Sequence, residues 1–298
     1  MSWADDVVLP TIAAGDARGW LQVNLELAPA QSFRVSSWPV VDALDRWCDG
    51  RGGEEPTGWW LVRKRPGLRV RVRGPAVDRT ALDELFAPFV AGGSLVRAWS
   101  TTYEPELDRL GGPAMIDAVH DWFVADTRAW VAHERARFAG RARVGGELMC
   151  GILLHELAAG ACEEGAETWA IWQALCRAYA GHPAMATATA ASHPHALALA
   201  RDHACDEERA VLSAAGAAVQ RFTETLAAAW QDGTLVGGPR ALIATMASFH
   251  FNLWCVNVGA AAALCRTMAS ALHPASVHGW AHLDAQTADG LAEPRLDK

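Results

Sequence analysis

The chain has 298 residues and is 51% hydrophobic, enough to fill a substantial core and too apolar for a disordered chain. A formal net charge of -8 speaks against an electrostatic nucleic-acid binder, which needs a clustered excess of Lys and Arg. The first residues lack the basic and apolar regions of a secretory signal, and the seven cysteines include no Cys-x-x-Cys pair, so reduced core thiols in a cytoplasmic protein are expected.

Residues 20–27 alternate Leu21, Val23, Leu25 and Leu27 against Gln22, Asn24 and Glu26, which predicts a half-buried strand. Ser37 is placed to cap a helix with an inner face of Val40, Val41, Leu44, Trp47 and Cys48, ending at Gly50. Residues 59–65 and 68–73 flank Pro66-Gly67 and read as a hairpin. Its second strand sets Leu68, Val70 and Val72 against Arg69, Arg71 and Arg73. Three guanidinium groups on one face, ~7 Å apart, need water, carboxylates or an anionic ligand. The acidic residues of 104–108 are candidates for that counter-charge. A helix from Asp78 and a strand over 95–103 complete the order strand, helix, strand, strand, helix, strand, which implies a mixed or antiparallel sheet with helices on one face.

From Pro113 onward the chain reads as helices. Pro113 suits a first helical turn, and Met115, Ile116, Val119, Trp122, Phe123 and Trp130 recur at helical spacing. Further helical stretches are predicted over 146–159, 163–180, 206–230 and 239–272. The fold class is therefore α+β: an N-terminal mixed or antiparallel sheet with flanking helices (1–112) packed on a larger helical half (113–283), the two forming one integrated domain. A polar tail, 284–298, has the composition of a disordered segment. The run 241–265 has no acidic residue or lysine and is long enough to cross a bilayer, but Ser248, His250, Asn252 and Asn257 would be costly in lipid. A buried core helix is the expectation, with no membrane partner.

Within that helix His250 and Asn257 sit seven apart, two turns along one face. Histidine gives or takes a proton near neutral pH, and a helix wall would hold it still. Other constellations are weaker. His155-Glu156 lacks a second histidine, and His193-Pro-His195 has no carboxylate or thiol at ligand spacing, so no metal is expected. Asp202-His203 followed by Cys205 and Asp206 reads as the acidic first turn of a long helix. No dinucleotide or phosphate-loop motif occurs, so no cofactor is expected. Fourteen tryptophans fit either a thick core or an apolar pocket with flat walls.

The junction between the halves carries Tyr103-Glu-Pro-Glu, two residues, Arg109, one residue, then Gly111-Gly112, and runs into a helix that opens with Met115 and closes near Asp126-Thr127. With the basic hairpin and the His250-centred helix, this pattern resembles the small C-terminal domain of class I lanthipeptide dehydratases and its stand-alone relatives in thiopeptide biosynthesis, over roughly 20 to 272. The resemblance implies action on a ribosomally made precursor peptide. Two activities occur in such proteins: elimination of glutamate from glutamylated Ser or Thr, and, in pyridine synthases, a formal 4+2 aza-cycloaddition of two dehydroalanines that closes a macrocycle and expels water and the leader peptide.

Arg69, Arg71, Arg109 and His250 are like residues of the eliminase site. Three departures stand beside them. Trp254-Cys255 replaces the usual Asn-Arg after the histidine, Arg65-Pro66-Gly67 replaces an aspartate-containing turn, and Leu110 stands where tyrosine is usual before the glycine pair. Loss of polar eliminase features with gain of tryptophan points to a pyridine synthase. Glutamate elimination and a non-catalytic precursor-binding subunit are the alternatives. His250, Tyr103, Glu104 and Arg71 are the candidate catalytic residues, and Arg69, Arg109, Ser248, Asn252, Trp254 and Asn257 the candidate substrate-binding ones. The expected partner is the modified precursor peptide, with no nucleic acid, and the chain is expected to be a monomer or homodimer.

Overall fold

The computed structural model describes residues 19–29, 33–50, 58–74, 77–162, 164–181 and 193–275. The chain divides into two compact units, Met1–Pro105 and Glu106–Lys298. The expected tail, 284–298, and the side chains of His193 and His195 lie outside what is described.

The first unit runs β1 (Leu21–Leu27), α1 (Phe33–Gly50), β2 (Gly58–Lys64), β3 (Gly67–Arg73), α2 (Arg79–Ala91) and β4 (Leu95–Thr101). Its four strands lie in the order β2-β3-β1-β4, with every neighbouring pair antiparallel. This is the antiparallel form of the expected sheet. Side-chain alternation gives one apolar face, on which Val23, Leu25, Leu68, Val70, Val72 and Trp59 are buried. The Trp59 indole N–H reaches 2.9 Å to Asp45 Oδ1 on α1, so a buried polar pair fixes helix to strand. Gly67 has no alternative at its position: a Cβ there would sit 1.8 Å from the Leu25 carbonyl oxygen of β1. Asp78 caps α2 by accepting from the Ala81 amide at 2.7 Å.

One expectation changes here. Ser37 is not an N-cap, because α1 already starts at Phe33; Ser37 lies inside the helix, its hydroxyl donating to the Arg34 carbonyl at 3.4 Å.

The second unit opens with a 3-10 turn, Leu107–Leu110, followed by α3 (Ile116–Phe138), α4 (Gly146–Gly160), α5 (Gly165–Ala178), α6 (His193–His203), α7 (Asp206–Gln231), α8 (Pro239–Leu253) and α9 (Val258–Ala271). The most extensive helix pairing is α3 along α7, while α5 packs on both α8 and α9. Glu208 anchors the start of α7. Its fully buried carboxylate accepts backbone N–H bonds from Arg143, Val144 and Cys205 at 3.1, 2.9 and 2.9 Å. Burial alone would raise that carboxyl, but the three amides hold it below its ordinary value.

Three further differences from expectation have local causes. Pro113 falls in a turn ahead of α3 rather than in its first turn, because Gly111 and Gly112 take left-handed φ of 83° and 84° and the helix starts only at Ile116. Residues 193–203, where no helix was expected, form α6, with Pro194 at its second position, where a missing N–H costs nothing, and Asp202-His203 close this helix rather than opening the long one, which starts at Asp206. The run 239–272 is two helices. Cys255 turns to φ 57°, and Asn257 caps the second by accepting from the Ala260 amide at 2.9 Å. Among the described residues no helix is long and apolar enough to cross a membrane.

Candidate functional site

In the first unit, strand register places Trp60, Arg71, Gln22 and Thr101 abreast on the sheet face opposite the apolar one. Arg71 is only 7% exposed. Its Cζ lies 4.2 Å from the centroid of the Trp60 ring and 5.0 Å from that of Tyr103, and the two rings meet edge to face at 6.0 Å. Arg71 Nε donates to Gln22 Oε1 at 2.9 Å, and Gln22 Nε2 in turn donates to Thr101 Oγ1 at 2.8 Å. The guanidinium is thus a planar, oriented cation held by two aromatic rings, a setting in which its charge and remaining N–H groups work at low dielectric. Tyr103 is buried beside it; Glu104, the next residue, is exposed.

The structure brings together Arg71 and Tyr103, both expected, and adds Gln22 and Trp60, which were not. Gln22 was visible only as one polar residue of an alternating strand. Its role depends on register, which a sequence does not state.

In the second unit, His250 on α8 is fully buried. Its Nδ1 lies 2.7 Å from Asp126 Oδ2 and its Nε2 2.9 Å from the Cys150 carbonyl oxygen. Both partners are acceptors, so both ring nitrogens carry hydrogen and the ring is an imidazolium paired with a carboxylate. Burial by itself would lower the histidine, but the Asp126 charge and hydrogen bond outweigh it and hold the ring well above its ordinary value. Trp254 donates its indole N–H to the other Asp126 oxygen at 2.9 Å, and the Trp122 and Trp254 rings flank the imidazole at 5.6 and 6.0 Å. Burial pushes the Cys150 thiol up, which leaves it a poor nucleophile.

Asp126 is the residue the sequence reading missed. Its signal was a carboxylate at helical spacing between Trp122 and Trp130, on an otherwise apolar face.

The remaining candidates spread out. Ser248 lies on the exposed side of α8 with its hydroxyl donating to the Thr245 carbonyl at 2.7 Å, Asn252 is half-buried, and Asn257 spends its side-chain oxygen on capping α9. The expectation that His250 and Asn257 share one helix face is corrected by the break between α8 and α9. Arg109 is exposed and paired with Glu106. Among the described residues no group of three or more His, Cys, Asp or Glu side chains is placed to hold a metal ion.

Residues 20–272 match the family model described as lantibiotic biosynthesis dehydratase C-term. The chain belongs to this family. Among solved structures, this member of the lantibiotic dehydratase C-terminal family is similar to the tRNA-dependent lantibiotic dehydratase MibB from Microbispora sp. 107891, with 20% identity and a TM-score of 0.58 over 88% of this chain. It spans only 28% of the length of that dehydratase. It is also similar to TbtD, the pyridine synthase from thiomuracin biosynthesis, with 14% identity and a TM-score of 0.54 over 87% of this chain and 99% of that one. At such identities the likeness is one of fold. No curated protein matches the chain.

Proposed function

We propose that this protein is a thiopeptide-type pyridine synthase. It joins two dehydroalanines of a modified precursor peptide by a formal 4+2 aza-cycloaddition. The methylene carbons of the two alkenes bond to each other, and the iminol carbon of the amide beside one alkene bonds to the α carbon of the other. The former amide oxygen leaves as water and the leader peptide leaves as its carboxamide, giving the aromatic ring.

The observation that carries this reading is the Arg71 guanidinium laid against the Trp60 and Tyr103 rings. All three side chains are under a tenth exposed, so the reading carries a condition: the cluster must open before its planes can stack on flat, neutral heterocycles. Tyr103 and Glu104 are the proposed donor and acceptor that shift the amide to its iminol, and Arg71 the donor towards charge developing on its oxygen. Holding the two alkenes in contact supplies most of the acceleration, up to ~7 to 11 kcal/mol in well-aligned systems. The proton-relay role proposed for His250 carries a condition: either the Asp126 or the Cys150 bond must be released before the ring can exchange a proton with a peptide. With both bonds kept, His250 is a positioning residue for α8. Arg69, Arg109, Ser248, Asn252, Trp254 and Asn257 are proposed as peptide contacts.

Glutamate elimination is the second reading, favoured by the ladder Arg69, Arg71 and Arg73, which would suit the glutamyl carboxylates. The deciding assay offers the purified protein two peptides, one with two dehydroalanines among azoles and one glutamylated on serine, and follows products by mass spectrometry. Loss of water plus leader from the first supports cycloaddition. Loss of glutamate from the second, with the first untouched, replaces it with elimination. If neither peptide reacts, both catalytic readings fail and the non-catalytic peptide-binding reading remains.

A further inference from the structure

A cleft in the helical unit plays no part in the proposed reaction. It is open, has a volume of about 420 Å³, and lies along the groove where α5 packs on α9. Small-molecule sites occupy about 300 to 1,000 Å³, so the space is adequate for one. One wall is the Trp169 ring. Its indole N–H donates to the Ala269 carbonyl at 3.0 Å, which ties α5 to α9 and fixes the ring. His273 stands edge-on to it, the ring centroids 5.0 Å apart and the planes at 81°, so the two rings form a corner. The half-buried Arg266 lines the same cleft, with Gln173 and Ser270 beside it.

The polar groups of the cleft are mostly donors. A guanidinium has only N–H groups to offer. Gln173 spends its side-chain oxygen on Arg177, which donates at 2.9 Å, and this leaves the amide N–H groups of Gln173 for the cleft. The Ala275 N–H donates to His273 Nδ1 at 3.0 Å, so the neutral ring carries its hydrogen on Nε2. Among the described residues no carboxylate lines the cleft. None occurs along the stretches that build it either: residues 168–181 contain Arg177 and residues 258–275 contain Arg266, with no Asp or Glu in either. In a chain of net charge -8, this locally cationic, donor-rich space favours an anion with acceptor oxygens.

Two features narrow the anion. The cleft lies along the last turn of α9, whose carbonyl end disfavours a dianion such as phosphate. A monoanionic carboxylate, which matches two oxygens to one guanidinium, meets less opposition there. The fixed indole face adds a flat apolar body, because aromatic rings stack at centroid separations of about 4.5 to 7 Å.

We propose that the cleft between α5 and α9 binds an aromatic monocarboxylate, its carboxylate on Arg266 and the Gln173 amide and its ring on Trp169. Such a group has two sources, a free aryl or heteroaryl acid or the C-terminal residue of a peptide that ends in an aromatic side chain. The chemistry recognised is the same for both. The site lies wholly in the second unit and uses none of the residues assigned to cycloaddition.

The probes are 2-naphthoate, its neutral amide 2-naphthamide, and the peptide Gly-Ser-Gly-Ser-Gly-Phe with a free or an amidated C-terminus, each titrated into the full-length protein by isothermal titration calorimetry. At least one of the two acids should bind about fivefold tighter than its amide, or better, as a charge-assisted pair requires. Arg266→Gln should weaken that acid by about the same factor. Ser270→Trp, which sets a ring into the cleft from an exposed helix position, should abolish binding. Arg221→Gln on α7 removes the same charge from an exposed position elsewhere and should change nothing. Tighter binding of the naphthoate supports a free acid as the ligand, and tighter binding of the peptide acid supports a chain terminus; both uphold the proposal. If circular dichroism shows Arg266→Gln to be unfolded, Gln173→Leu and Ser270→Trp carry the test. Absence of binding by both acids, equal affinity for the amides, or affinities untouched by the folded cleft variants overturns it. The titration needs no turnover, so its failure leaves the pyridine-synthase reading standing, and failure of the cyclisation assay leaves the cleft.

Discussion

Nδ1 of His250 and Oδ2 of Asp126 lie 2.7 Å apart in the interior of the helical unit, although 124 residues separate them in the chain. Trp254 donates to the second carboxylate oxygen and the Cys150 carbonyl accepts from the second ring nitrogen, so both carboxylate oxygens and both ring nitrogens have a partner. Such a pair ties α3, α4 and α8 together through one imidazolium.

Breaking it should be costly. Asp126→Asn or His250→Ala leaves an uncompensated buried group, and each should lower stability by about 3 to 5 kcal/mol, read from urea unfolding. The double variant should lose less than the sum of the two, since the residues act as a unit. Additive losses would mean that the pair is not a coupled unit.

The pair also sets a direction for pH. The folded-state value of His250 is raised above its ordinary 6.5, so its contribution is fully present below about pH 6.5 and is lost as pH rises through the folded value. Unfolding midpoints should therefore fall on the alkaline side, and this fall should vanish in His250→Gln. Glu208 acts in the opposite sense: its value is lowered from 4.5, so its contribution is present above that pH and is lost as pH drops through the folded value. Glu208→Gln should flatten the acid limb alone.

Arg71→Lys tests the aromatic-held guanidinium. Lysine keeps the charge but gives up the planar stacking and the Nε bond to Gln22. Under the proposed function kcat should fall about 10- to 100-fold in the dehydroalanine-peptide assay, with melting temperature changed by only a few degrees. Tyr103→Phe should reduce kcat without loss of folding. Unchanged kcat in both variants would place the chemistry elsewhere.

Gly111→Ala tests the junction turn. The backbone there sits at φ 83°, and a Cβ would lie 2.8 Å from Met115 Cβ. Strain of about 1 to 3 kcal/mol is expected, visible as a lower thermal midpoint.

Much of this architecture was already written in the residue order. The alternation over 21–27 and 68–73, the turn at Pro66-Gly67 and the helix start at Asp78 defined the sheet unit. Helical periodicity then defined α4, α5 and α7 to within a few residues, because period and capping are local properties of the chain, whereas α3 runs on to Phe138, well past the close near Asp126-Thr127 that the motif suggested. The motif around Tyr103, Arg109 and Gly111-Gly112 likewise pointed to the family. Where local signals conflicted, the sequence was silent. An unbroken apolar run concealed the stop at Leu253, which depends on Cys255 adopting a left-handed turn and on Asn257 capping α9. No helix was foreseen over 193–203, although Pro194 suits a helix start.

The candidate sites divide in the same way. That Arg69 and Arg71 share a face comes from a period of two. That Gln22 and Trp60 stand beside Arg71, while Arg69 shares its row with Trp99, comes only from strand register and order. His250 was legible as a polar residue in an apolar helix, but its partner Asp126 and its imidazolium state were not. Burial, partners and protonation are set by atoms far apart in sequence and close in space, and only the folded chain brings them together.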